Sequence, residues 1–77
     1  MTPQEIFEYK TQWRNNAWSM YIDPDADVFT KDWCRRNVER QDWSFEKYAR
    51  QDDWHLILFH YRSDYNAFKA NYYMNFK

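Results

Sequence analysis

The 77-residue chain is short, nearly neutral and rich in aromatic residues. Eleven Lys and Arg against twelve Asp and Glu give a formal net charge of −1, which does not by itself indicate a nucleic-acid or anionic-membrane ligand. The absence of glycine excludes the Gly-rich phosphate loops, dinucleotide fingerprints and nucleophile elbows that depend on glycine. Trp, Tyr and Phe make up 23% of the chain, so one small domain, residues 1–77, can build a core and still leave rings at its surface.

The first half of the chain predicts a helix, a strand and a second helix. Thr2-Pro3-Gln4-Glu5 has the pattern of a capping box and begins a helix over about residues 3–13. Residues 17–22 alternate between apolar and polar positions, as expected of a strand. Asp23-Pro24 ends that strand and begins a second helix, in one or two pieces, that runs to about Arg40.

The second half predicts two strands and a third helix. Residues 43–50 alternate as a strand, and residues 54–61 are apolar or aromatic on both faces, which favours a central strand. Ser63 or Asp64 then caps a helix that reaches the end of the sequence. The element order α-β-α-β-β-α predicts a small α+β two-layer sandwich, with a three-stranded, mainly antiparallel sheet and helices on one face.

The most distinctive run is Trp33-Cys34-Arg35-Arg36, within residues 30–70. Further characteristic positions are Arg40, Trp43-Ser44, His55, Phe59 and Ala67-Phe68. In these residues the chain resembles a family of small proteins of unknown function encoded by tailed phages that infect marine cyanobacteria. The resemblance implies a phage origin and an accessory role, and it implies no catalytic activity.

The residue pattern does not favour catalysis, a metal site or a cofactor. His55 and His60 are five residues apart, so a continuous strand would point them to opposite faces. Cys34 lies on the apolar side of the second predicted helix, which favours a structural cysteine over a nucleophile. We therefore expect a non-enzymatic protein with no catalytic residues, no metal and no cofactor.

Composition also bears on the compartment. The single cysteine excludes an internal disulfide framework, and the longest apolar run, residues 56–59, is too short to span a bilayer. No apolar signal-peptide core is evident near the start of the sequence. We expect a protein of the reducing cytoplasm of the host cell, with no membrane partner.

The surplus of aromatic residues and the arginines favour a protein-interaction module, because protein interfaces are enriched in Trp, Tyr and Arg. The expected partner is a host or phage protein, or a second copy of the chain. The predicted contacts combine exposed sheet aromatics with arginine anchors: Trp18, Tyr48, Trp54 and Tyr61, with Arg35, Arg36 and Arg40.

Two other interpretations stay open. The first is a single-stranded RNA or DNA binder that uses the same arginines and the sheet aromatics, since residues 31–50 hold six basic and four acidic side chains. The second is purely structural. In that case the extra rings wedge the helices onto a small sheet, and the arginines form a solvated helix face paired with Asp32 and Glu39.

Overall fold

The structure, a computed structural model, describes residues 1–47 and 54–76. These residues form a small α+β domain in the predicted order, with three α-helices and one three-stranded sheet. The elements are α1 (Pro3–Trp13), β1 (Trp18–Ile22), α2 (Asp27–Asn37), β2 (Trp43–Glu46), β3 (His55–Phe59) and α3 (Arg62–Phe76).

The sheet has the order β1-β3-β2, and β3 runs antiparallel to both neighbours. Phe59 is paired across the sheet with Trp18 on one side and Trp43 on the other. This arrangement confirms the prediction that the most apolar strand is central. Its two neighbours pair with its backbone on both edges, and its side chains are the most buried of the three strands.

The predicted cap of α1 is present. The Thr2 backbone N–H donates to Glu5 Oε1 at 2.8 Å, and the Glu5 backbone N–H donates to Thr2 Oγ1 at 3.2 Å. This reciprocal pair satisfies two backbone donors that the start of a helix otherwise leaves free. Asp23 caps the following 3₁₀ turn, Pro24–Ala26, by accepting from the Asp25 backbone N–H at 2.9 Å.

The core lies between the inner face of the sheet and the helices α2 and α3. Ile22, Ile57 and Phe59 point from the sheet into this layer and are fully buried. From the helices, Cys34 and Phe68 meet them, and the rings of Phe59 and Phe68 are 5.4 Å apart. Alternation along the strands places Tyr21 and Leu56 on the opposite, outer face.

Helix α1 packs at the end of the sheet, against a 3₁₀ turn formed by Arg40–Asp42. The Trp13 indole Nε1 donates to the Gln41 carbonyl at 3.1 Å. Its ring also stacks on His60, with centroids 5.2 Å apart. Trp13 therefore ties α1 both to the chain that precedes β2 and to the end of β3.

The second helix is shorter than its predicted extent to Arg40. It begins after the Pro24–Ala26 turn and ends at Asn37, because Val38 adopts an extended backbone (φ −131°, ψ 139°) and buries its side chain. Strand β2 ends at Glu46, earlier than predicted, because the chain turns at Lys47; residues 48–50 of the predicted range lie outside the described residues. None of the helices in the described part of the chain is long and apolar enough to cross a membrane.

Candidate functional site

An open surface pocket of about 430 Å³ lies where α1, the end of α2, the Arg40–Asp42 turn and β2 meet. We call it the basic pocket and define it by its lining residues Lys10, Arg35, Val38, Arg40 and Trp43. Each of its cations comes from a different element, so the pocket exists only when α1 is docked. Its volume falls within the roughly 300–1,000 Å³ common for ligand pockets.

The break after α2 brings two of the arginines together. Arg35 lies in the last turn of α2. Val38 and Glu39 are then extended, and the chain turns so that Arg40 begins the 3₁₀ turn. A helix continued to Arg40 would place the two arginines five positions apart, on different sides of one cylinder. The extended Val38 instead lets both line one pocket.

The basic pocket has an excess of positive charge. Other basic side chains are neutralised locally: Arg14 by Glu46, Lys31 by Asp27 at 3.9 Å, and Arg36 by Asp32 at 3.0 Å. Among the described residues, no ion pair includes any of the pocket's cations.

The surroundings of Lys10 disfavour the charged form of its amine. Burial lowers its pKa, and the positive charges of Arg40 and Arg14 lower it further. Its Nζ also lies 5.5 Å from the centroid of the Trp43 ring, a cation–π contact of about 0.5–1 kcal/mol at a partly exposed site. The lysine thus lies against the Trp43 ring, in a region where positive charge is disfavoured.

The three predicted arginine anchors cluster in the structure. Arg35 and Arg40 line the basic pocket, and Arg36 joins them around a shallow depression beside it. The Arg36 side chain is 74% exposed and paired with Asp32, whereas the Glu39 carboxylate accepts from the Gln41 side chain at 2.8 Å. Within residues 1–47 and 54–76, the charge pairing expected of a plain solvated face is therefore found for Arg36 but for neither pocket arginine.

The predicted aromatic contacts that fall within the described residues line neither the basic pocket nor the depression beside it. Trp18 is 43% exposed at the β1 edge, where its ring faces Tyr65 at 6.1 Å and Arg62 at 5.4 Å. Tyr61 is 47% exposed and stacks on His60 at 4.2 Å. Trp54 is half-buried just before β3. Tyr48 lies outside the described residues.

Sequence reasoning missed the Lys10 and Trp43 contributions to the pocket. A signal was available in α1, because Lys10 follows the buried Ile6 by four positions and precedes the buried Trp13 by three. That spacing puts all three on one helix face. A lysine on the apolar face of a helix indicates a cation held near other protein groups. Trp43 could be assigned to a strand but not to the pocket, because its neighbours come from three other elements.

Each histidine is held by its own aspartate. The buried His55 has its Nδ1 2.8 Å from Asp27 Oδ1, and His60 has its Nδ1 3.0 Å from Asp42 Oδ1. Burial raises the pKa of the Cys34 thiol to about 12. The thiol therefore stays protonated near neutral pH, in the form that is a poor nucleophile.

The described residues contain no group of three or more His, Cys, Asp or Glu side chains arranged to hold a metal ion.

Searches of protein families, of curated proteins and of solved structures found no match to this chain. The chemistry of the basic pocket therefore carries the functional argument.

Proposed function

We propose that this domain is a non-enzymatic interaction module, a phage accessory protein that binds an acidic region of a host or phage protein through the basic pocket. The observation that carries the proposal is the cluster of Lys10, Arg35 and Arg40, to which no described carboxylate is ion-paired. Holding like charges together costs folding free energy, and a partner's negative charge offsets that cost.

The residue types of the pocket suit a protein partner. Arg and Trp are the side chains most often found at the energetic centres of protein interfaces. Here two arginines line the same pocket as a half-buried indole, and Val38 supplies an apolar contact. Charge complementarity would set the orientation and the association rate, and the desolvated indole would contribute affinity.

Single-stranded RNA or DNA is the second candidate. Cations can bind its phosphates, and an aromatic ring beside them can stack on a base. The arrangement favours a protein partner over the expected sheet platform. Arg35 and Arg36 belong to a helix that packs on the inner face of the sheet, whereas Tyr21 lies on the outer face. A strand of nucleic acid cannot stack on the outer face and contact these arginines at the same time without passing around the sheet edge.

The proposal is tested by affinity capture from host lysate with the wild-type domain, an Arg35→Glu/Arg40→Glu variant and an Arg62→Glu control. The control reverses an exposed charge at the start of α3, beside Trp18 and away from the pocket. We expect one stoichiometric protein to bind the wild type and the control, to survive nuclease treatment and to be lost with the double variant.

Nuclease treatment separates the two candidates, because binding to an acidic protein and binding to nucleic acid both weaken with salt. Loss of the bound material on nuclease treatment would favour the nucleic-acid candidate. Capture that is equal for the wild type and the double variant would show that the basic pocket is not the contact surface.

A further inference from the structure

We propose that the basic pocket is a receptor for a phosphate monoester, a doubly charged oxyanion carried on an organic group. The inference rests on the proposed function, since it assigns the chemistry that a partner presents to the same pocket. It specifies the class of ligand that this positively charged surface binds.

The charge balance favours a doubly charged group. The pocket holds the cations of Lys10, Arg35 and Arg40 without an ion-paired carboxylate among the described residues. A single carboxylate supplies one negative charge, whereas a phosphate monoester carries about −1.5 to −2 at neutral pH. One phosphate group can therefore compensate most of the excess.

The directions of approach favour a tetrahedral anion. The donors reach the pocket from α1, from the end of α2 and from the Arg40–Asp42 turn. A planar carboxylate is matched best by one arginine fork lying in its own plane. A phosphate group presents three strong acceptor oxygens in different directions, so it can accept from donors on three separate elements.

The remaining walls suit the organic part of the ligand. Val38 and Trp43 line the same pocket and contribute apolar and aromatic surface. The Lys10 amine, whose pKa burial and the nearby arginines lower, would regain its preference for the charged form beside a dianion. Inorganic phosphate should therefore bind, and an aryl phosphate should bind more tightly because its ring can contact the indole.

The direct test measures binding to the full chain with inorganic phosphate, phenyl phosphate and benzoate, at constant ionic strength set with chloride. Trp fluorescence and the thermal unfolding midpoint are followed together. We expect both phosphates to raise the midpoint and phenyl phosphate to bind more tightly than inorganic phosphate. Benzoate, which carries the same ring but one charge, should bind at least about tenfold more weakly than phenyl phosphate.

Variants locate the binding site. Arg40→Gln and Lys10→Gln should each weaken phenyl phosphate binding about tenfold or more, because each removes a charged hydrogen-bond donor. Arg62→Gln, at the start of α3, is the matched control and should bind like the wild type. Near-ultraviolet circular dichroism on the same samples verifies that the variants are folded. Equal binding of benzoate and phenyl phosphate, or binding unaffected by both pocket variants, would overturn the proposal.

A second pair of ligands separates the sources of the phosphate group. A phosphotyrosine peptide and a nucleoside 5′-monophosphate carry the same monoester on different groups, and the tighter binder identifies the class. The outcomes also separate this inference from the proposed function. Partner capture that needs the pocket arginines but is not displaced by phenyl phosphate overturns the phosphate assignment alone. Phosphate binding without any captured protein overturns the proposed function alone.

Discussion

The basic pocket and the two histidine–aspartate pairs hold polar groups in opposite ways. His55 and His60 each lie within 3.0 Å of an aspartate oxygen supplied by another part of the chain. Lys10, Arg35 and Arg40 are brought by the fold to line one pocket, yet they enter no ion pair among the described residues. Satisfied pairs stabilise the folded chain, whereas uncompensated charges at a pocket are typical of a site that binds something else.

The largest effect should come from truncating the buried histidine. His55→Ala removes the contact with Asp27 and the edge-on packing of the imidazole against Phe45, whose ring centroid is 5.3 Å away. We expect the free energy of unfolding to fall by about 3 kcal/mol, since a cavity forms and the hydrogen bond between the imidazole and the carboxylate is lost. Urea denaturation measures this loss. A change below about 0.5 kcal/mol would remove the distinction between the two regions.

The second pair should give a smaller loss. His60→Phe keeps an aromatic ring between Trp13 and Tyr61 but removes the imidazole nitrogen 3.0 Å from Asp42. The buried Asp42 carboxylate then loses its partner, and we expect a cost of about 1–3 kcal/mol. Thermal and urea denaturation of the variant measure it, with Tyr61→Phe, which keeps the stacking ring, as the control. An unchanged free energy of unfolding would show that ring stacking alone stabilises the contact of Trp13 with residue 60.

Pocket substitutions should behave differently from both. Arg40→Gln removes one of the clustered cations and leaves no carboxylate ion pair broken among the described residues. We expect the free energy of unfolding to stay constant or to rise by up to about 0.5 kcal/mol, since like-charge repulsion is relieved. A loss above about 1 kcal/mol would assign Arg40 to the stabilising groups and contradict the comparison.

The smallest effect should be the pH dependence that Lys10 gives to the free energy of unfolding. Its pKa in the folded chain is below the ordinary value of 10.5, mainly because of burial, so the unfolded chain binds more protons at alkaline pH. The contribution of Lys10 to the free energy of unfolding therefore rises as the pH increases from its lowered pKa towards 10.5. The stability of the wild type relative to Lys10→Gln should increase over that range. Relative to Arg40→Gln, which keeps the burial of Lys10 and loses one of the charges that lower its pKa, the slope should be smaller, and a flat Lys10→Gln comparison would contradict the assignment.

Local signals explain why much of the fold could be predicted from the sequence. Thr2 and Glu5 are three positions apart and form the predicted capping box without help from distant residues. The apolar run at residues 54–61 predicted a central strand, and β3, His55–Phe59, takes that place. These features depend on spacing along the chain, which a sequence contains directly.

The end of α2 shows where local signals fail. Nothing in the pattern of residues 35–40 requires the helix to stop at Asn37. Val38 leaves the helix and buries its side chain in the core, so tertiary packing overrides helix propensity at this position. The pocket depends on this break, because it turns Arg40 back towards Arg35.

The sequence by itself determined the α+β class, the order of the elements and the residue types available for binding, because caps and periodicity act over a few positions. Only the tertiary structure decided which side chains meet. It separated Trp18 and Tyr61 from the arginines, and it placed Lys10 beside Trp43. Those neighbours lie far apart along the chain, and their proximity follows from how α1 docks at the end of the sheet.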